Sequence, residues 1–147
     1  MQSLLSRHQN PDNSGLVQRI TPERAHWKHV GFDVYHLEPG QTLQQETGNQ
    51  EICLVLVTGR ANVKTSKDSW DDIGDRMSVF EEKAPYAVYV PHSDQFTVTA
   101  KTNLELAVCR APGFGNHSAR LIRPETMGRE TRGKGTNTRH VCDILPQ

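Results

Sequence analysis

The chain has 147 residues, 17 of them Lys or Arg and 17 Asp or Glu, so its formal net charge is zero. That length suits one domain with a buried core, and the charge balance excludes a global basic field that would draw nucleic acid or an anionic membrane. No apolar stretch approaches the roughly 20 residues that span a bilayer, and the opening Met1-Gln-Ser-Leu-Leu-Ser-Arg lacks the apolar core of a signal peptide.

Residues 1–25 are polar and rich in turn formers, as in Gln9-Asn-Pro-Asp-Asn-Ser-Gly15, and predict an extended leading segment. From Val30 the pattern becomes period two, with Val30, Phe32 and Val34 alternating against Gly31, Asp33 and Tyr35. His36 shares the parity of Phe32 and Val34, which predicts a hydrogen-bonded interior histidine. Ile52–Val57 is a continuous apolar run, the signature of a strand buried on both faces, and Thr58-Gly-Arg60 turns it into Ala61–Thr65.

Tyr86–Val90 reads as a strand ending at Pro91, and Gln95–Ala100 and Leu104–Cys109 alternate, with Lys101-Thr-Asn103 predicted as a hairpin turn between them. Seven or eight short strands and no long helical period predict an all-β, antiparallel sandwich or barrel over residues 26–124. Pro112–Gly115 reads as a loop and Ser118–Arg123 as a last short strand. Residues 124–138 are polar, glycine-bearing and basic and read as a linker or an ordered crossing segment, and a new strand follows at Arg139–Leu145, so residues 125–147 are expected to be an inter-barrel linker and the start of a second barrel. A strand beginning there predicts a chain cut short, with that segment frayed or docked on the barrel edge. Arg110–Gln147 carries seven Lys/Arg against three Asp/Glu, a local excess read as a solvated face or linker.

Cys53, Cys109 and Cys142 are odd in number and form no C-x-x-C, which predicts reduced thiols and a cytoplasmic setting. The seven histidines, His8, His26, His29, His36, His92, His117 and His140, make no H-x-H and no zinc spacing with cysteine. His92 follows Pro91 at a strand end, where barrel mouths place functional loops. Glu46 and Glu51 could act as acid and base or hold a hard cation, but no histidine is close in sequence, and a polar turn beside a strand is the favoured reading. Arg76, in Gly74-Asp-Arg-Met-Ser-Val-Phe80, could clamp a carboxylate in bidentate fashion or brace a loop through backbone carbonyls. Asp71 and Asp72 read as a solvated turn, and Trp27 and Trp70 as packing residues.

The window Gly40-Gln-Thr-Leu-Gln-Gln-Glu46-Thr-Gly48-Asn-Gln-Glu51-Ile-Cys-Leu-Val-Leu-Val-Thr-Gly59 resembles the frame of a first cupin motif. Metal-binding cupins carry His-x-His where this chain has Glu46-Thr47-Gly48, so the frame implies the fold and no metal in this barrel. The stretches Glu51–Gly59, Gly74–Phe80, Pro85–Pro91, Glu105–Pro112, Arg120–Pro124 and Arg132 through Arg139–Leu145 are together similar to the N-terminal half of the 5-deoxyglucuronate isomerase family of myo-inositol catabolism. That resemblance implies the jelly-roll first barrel of a bicupin, and an aldose–ketose isomerisation of 5-deoxy-D-glucuronate to 2-deoxy-5-keto-D-gluconate. The divalent metal and its His-x-His and Glu ligands belong to the second barrel, so this half is expected to be inactive alone. A small sugar acid and the second barrel of the same chain are the implied partners, and homo-oligomerisation stays open. Arg76, His92, Arg132 and Arg139 are the candidate substrate-binding residues. A non-catalytic sugar-acid-binding or assembly barrel is the alternative.

Overall fold

Period-two alternation builds nearly all of the computed structural model, which describes residues 5–7 and 9–145; His8 lies outside them. Among the described residues the strands are β1 (Leu16–Ile20), β2 (Gly31–Leu37), β3 (Thr42–Glu46), β4 (Gln50–Thr58), β5 (Ala61–Thr65), β6 (Ser69–Ile73), β7 (Tyr86–Val90), β8 (Gln95–Ala100), β9 (Leu104–Pro112), β10 (Arg120–Ile122), β11 (Gly128–Arg132) and β12 (Arg139–Asp143), with one α-helical turn, α1 (Pro22–Ala25), and two 3-10 turns at Pro124–Thr126 and Gly135–Asn137. A six-stranded antiparallel sheet runs β1-β2-β9-β4-β7-β10 and a four-stranded one β3-β8-β5-β6. They face each other as an all-β, cupin-like barrel.

Each strand turns one parity inward. Tyr35 and Leu37 of β2, Ile52, Leu54 and Leu56 of β4, Val88 and Val90 of β7, and Leu106 and Val108 of β9 meet Leu43, Val63, Phe96 and Val98 from the smaller sheet. These side chains are buried together, and removing their apolar surface from water is the main drive for closing the barrel. The outer face of the larger sheet is apolar too. Val55, Ala87 and Ala107 pack there with Ala84, Ile122 and Met127, and Phe32, Cys53, Tyr89 and Ile144 lie against them.

That second apolar face explains an inversion at β2. His36 points outward, exposed, with Nε2 3.5 Å from Glu105 Oε1, and not into the core. Both parities of β2 carry apolar residues because both faces are covered, so alternation alone does not fix its phase. The inward set is Gly31, Asp33, Tyr35 and Leu37.

Lys101–Asn103 is likewise not a hairpin turn. β8 and β9 lie in different sheets, and the turn crosses between them beside the β4–β5 crossing. The two crossings are tied by Arg60 N–H to Thr102 Oγ1 (2.9 Å) and Lys101 N–H to the Arg60 carbonyl (2.8 Å). Gly59, at φ +98, sits where a Cβ would collide with the Asn103 carbonyl oxygen and lie 2.9 Å from Leu104 Cα. Gly59→Ala is therefore expected to lower stability by about 1–3 kcal/mol. A urea midpoint equal to that of the parent chain would contradict it.

Asp71 and Asp72 belong to β6 and not to a turn, with Asp72 ion-paired to Arg60. Beyond Pro124–Thr126, β11 and β12 pair with each other in a separate two-stranded sheet. The segment at Arg139 thus takes its ladder hydrogen bonds from β11 and not from the barrel edge, and residues 128–132 are strand where a linker is predicted. Ile144 returns to the outer face of the large sheet.

Candidate functional site at the barrel mouth

The sequence candidates scatter. Glu46 lies exposed at the end of β3, whereas Glu51 is on the opposite parity from Ile52 and accepts a hydrogen bond from Tyr89 Oη at 2.9 Å on the outer face. Arg76 donates through Nε to the Val57 carbonyl and through Nη1 to the Lys83 carbonyl, both at 2.9 Å, and so braces the 76–83 loop. His92 Nε2 meets the Gly115 carbonyl at 2.8 Å and its Nδ1 lies 3.1 Å from Ser93 Oγ, holding the Pro112–Gly115 loop over the barrel end. Arg132 and Arg139 are exposed cross-strand neighbours in the β11–β12 ladder, with Arg132 ion-paired to Glu130.

The frame where metal-binding cupins carry His-x-His does a different job here. The Glu46-Thr47-Gly48 frame uses Thr47 as a buried strut, its Oγ1 bonded to both the carbonyl and the N–H of Asp94. Below the mouth the interior lining is aliphatic and aromatic. Among the described residues, no group of three or more His, Cys, Asp or Glu side chains is placed to hold a metal ion.

What the sequence reading missed is a ring of polar side chains at one end of the barrel. The inward parity turns polar there on four strands: Asp33 precedes Tyr35 on β2, Gln45 follows Leu43 on β3, Gln50 precedes Ile52 on β4, and Arg110 follows Val108 on β9. Arg19 of β1 lies cross-strand from Asp33 and joins them. Arg19 Nε donates to Asp33 Oδ1 (3.3 Å) and its Nη2 to Tyr35 Oη (3.0 Å). Arg110 Nη2 donates to Asp33 Oδ2 (3.1 Å) and to Gln45 Oε1 (2.6 Å), and Gln45 Nε2 closes the circuit on Tyr35 Oη at 2.8 Å. Asp33 is only 3% exposed. Two guanidiniums around one buried carboxylate leave the ring at net charge +1. A charge on the inward parity of an otherwise apolar strand was the available signal, but only the fold shows that five such side chains converge.

A cleft of about 690 Å³ opens over this ring, walled by Ile20, Thr21, Glu23, Gly31, Glu46 and Gln50. On the outer face, a single cross-strand row runs Arg120, Tyr89, Cys53, Cys109, Phe32. Burial pushes the Cys53 thiol up to about 12, with Cys109 beside it adding to the effect. Burial likewise raises the Tyr89 phenol to about 12, helped by its hydrogen bond to Glu51. Below the ordinary values of 9.0 and 10.0 both groups are neutral folded or unfolded. Above them the unfolded chain loses protons that the folded chain keeps, so stability is expected to fall as pH rises from about 9 toward about 12. Urea midpoints that stay flat across that window would contradict the assignment, and Tyr89→Phe should reduce the slope.

The chain has counterparts among known proteins. Residues 4–147 match the KduI/IolB family. The chain belongs to that family. A 5-deoxy-glucuronate isomerase from Geobacillus thermodenitrificans is 52% identical over 144 residues, covering 98% of this chain and 52% of that protein. A second, from Geobacillus kaustophilus, is 50% identical and covers 100% of this chain and 53% of that protein. The chain thus spans about half the length of the curated relatives it matches. An IolB-like protein from Salmonella typhimurium LT2 superposes with a TM-score of 0.93 at 48% identity, over 99% of this chain and 54% of that one. An E162A mutant of Bacillus subtilis oxalate decarboxylase superposes with a TM-score of 0.56 at 17% identity, a likeness of fold alone.

Proposed function

We propose that this chain supplies one barrel of a two-barrel 5-deoxyglucuronate isomerase that converts 5-deoxy-D-glucuronate to 2-deoxy-5-keto-D-gluconate in the cytoplasm. The observation that carries the reading is the 52% identity to such an isomerase over nearly the whole chain, spread across only half of the relative. An aldose–ketose isomerisation moves a proton between adjacent carbons, so it needs a base and an electrophile that stabilises the enediolate. The interior of this barrel is packed with aliphatic and aromatic side chains, and the polar groups at its mouth, Asp33, Arg19, Arg110 and Gln45, are bonded to one another. We therefore assign the divalent metal and the base to the second barrel, and to this one the work of scaffold and barrel–barrel contact.

Arg132 and Arg139, side by side and exposed on the β11–β12 hairpin, are the candidates from this half for reaching the substrate carboxylate. Arg76 and His92, whose bonds go to backbone carbonyls, are candidates for shaping a wall of the site. The test is a chimera in which these 147 residues replace the matching half of the Geobacillus thermodenitrificans isomerase. The chimera is expected to turn over 5-deoxy-D-glucuronate. A folded chimera with a loaded second half and no turnover would overturn the reading.

A further inference from the structure

The 76–83 loop is firmly held, yet it carries its apolar side chains into water. Arg76 ties it to the Val57 and Lys83 carbonyls. Glu81 Oε1 accepts from the N–H groups of Met77 (2.9 Å) and Ser78 (3.1 Å). Lys83 Nζ donates to the Asp75 carbonyl (3.3 Å) and lies 3.5 Å from Glu81 Oε2. These bonds fix the backbone in a shape that leaves Met77 and Val79 about half exposed and Phe80 92% exposed. An apolar tip that its own chain does not cover marks a contact surface, and a loop already in one shape loses little conformational freedom when a partner covers it.

A matching hollow lies beside the tip. Residues 81–85 form one wall of a cleft of about 740 Å³, the β11–β12 ribbon forms the other, and Ala84, Pro85, Val141 and Cys142 give it apolar lining. Most charged groups of the cleft are bonded within their own wall: Arg76, Glu81 and Lys83 inside the loop, Glu130 to Arg132 on the ribbon. Glu82 on the loop and Arg129 on the ribbon are both exposed and, among the described residues, have no ion-pair partner. One wall thus offers a spare negative charge and the other a spare positive one. Knob and hollow on one face are what a two-fold contact requires, because the axis turns that face onto a copy of itself.

We propose that two copies of this chain associate through this face about a two-fold axis. The Phe80 side chain of each copy enters the cleft of the other, and Glu82 of each pairs with Arg129 of the other. Each ring then takes about 150–250 Å² out of water. The charge pairs sit at the rim, where they set register more than affinity. So small an interface is expected to have a dissociation constant of about 10–100 µM. The pairing goes beyond the isomerase reading and does not depend on it.

Sedimentation velocity of the 147-residue chain from about 1 µM to about 1 mM tests the proposal. The chain is expected to be monomeric at the lower end and mostly dimeric at the upper. Phe80→Asp should raise the dissociation constant at least about tenfold. Because the position is exposed, it should leave the urea midpoint of the dilute monomer unchanged. Glu82→Arg should weaken the pairing by about threefold. Adding Arg129→Glu to it should recover most of that loss, a coupling that unrelated surface effects do not produce. A chain still monomeric at about 1 mM would overturn the proposal and leave the loop to a partner of another kind. So would an open series of higher oligomers, a Phe80→Asp chain that dimerises like the parent, or a double charge swap no tighter than Glu82→Arg alone.

Discussion

Replacing Asp33 with alanine is expected to lower the unfolding free energy by about 3–5 kcal/mol, the range found when one partner of a buried ion pair is removed. Asp33 is buried at the barrel mouth and accepts from both Arg19 and Arg110. Its loss leaves the Arg110 guanidinium desolvated against Gln45 with no counter-charge. Arg19, about half exposed, recovers by turning toward water, so Arg110 carries most of the penalty. Asp33→Asn keeps the shape and one acceptor and should cost less. Urea unfolding of the three chains measures the series, and an Asp33→Ala chain within 1 kcal/mol of the parent, on the scale of an exposed pair, would show that the ring is a surface feature.

Phe96→Ala is expected to be equally severe for a different reason. Phe96 on β8 has 0% exposure and meets the inward rows of both sheets. Truncation removes the ring's transfer free energy and leaves a cavity that a closed barrel cannot collapse around, a combined loss of about 3–5 kcal/mol. Phe80, 92% exposed in the 76–83 loop, is the internal control: Phe80→Ala should stay within about 0.5 kcal/mol. Comparable losses at the two positions would mean that the loop packs against something other than solvent.

The sequence carried much of the fold and little of the mouth, for physical reasons that differ by element. The run Ile52–Val57 predicts a doubly covered strand because both parities are apolar, and β4 packs against apolar neighbours on both faces. The frame from Gly40 to Gly59 likewise marks the β3–β4 unit and the crossing at Gly59. The same double covering misled at β2, where apolar residues occupy both parities and His36 took the wrong side. The pairing of β11 with β12 is not legible in the sequence, because it joins exposed polar residues that leave no hydrophobic period. The ring leaves no local signal because its bonded members lie on four strands, β1, β2, β3 and β9. Asp33 and Arg110 are 77 residues apart in sequence and 3.1 Å apart in the barrel.

The absence of histidine from the Glu46-Thr47-Gly48 frame and the aliphatic interior behind it agree in making this barrel a packed scaffold with a polar mouth. The proposed reading puts the isomerase chemistry outside this barrel. The measurement that tests this most directly is an NMR time course of 5-deoxy-D-glucuronate with the isolated 147-residue chain, with and without added divalent metal. The account expects the aldehyde and its hydrate signals to persist unchanged under both conditions, at a protein concentration where the intact Geobacillus thermodenitrificans enzyme converts the substrate completely. Conversion to the ketose by the isolated chain would place the base and the electrophile within this barrel and contradict the account.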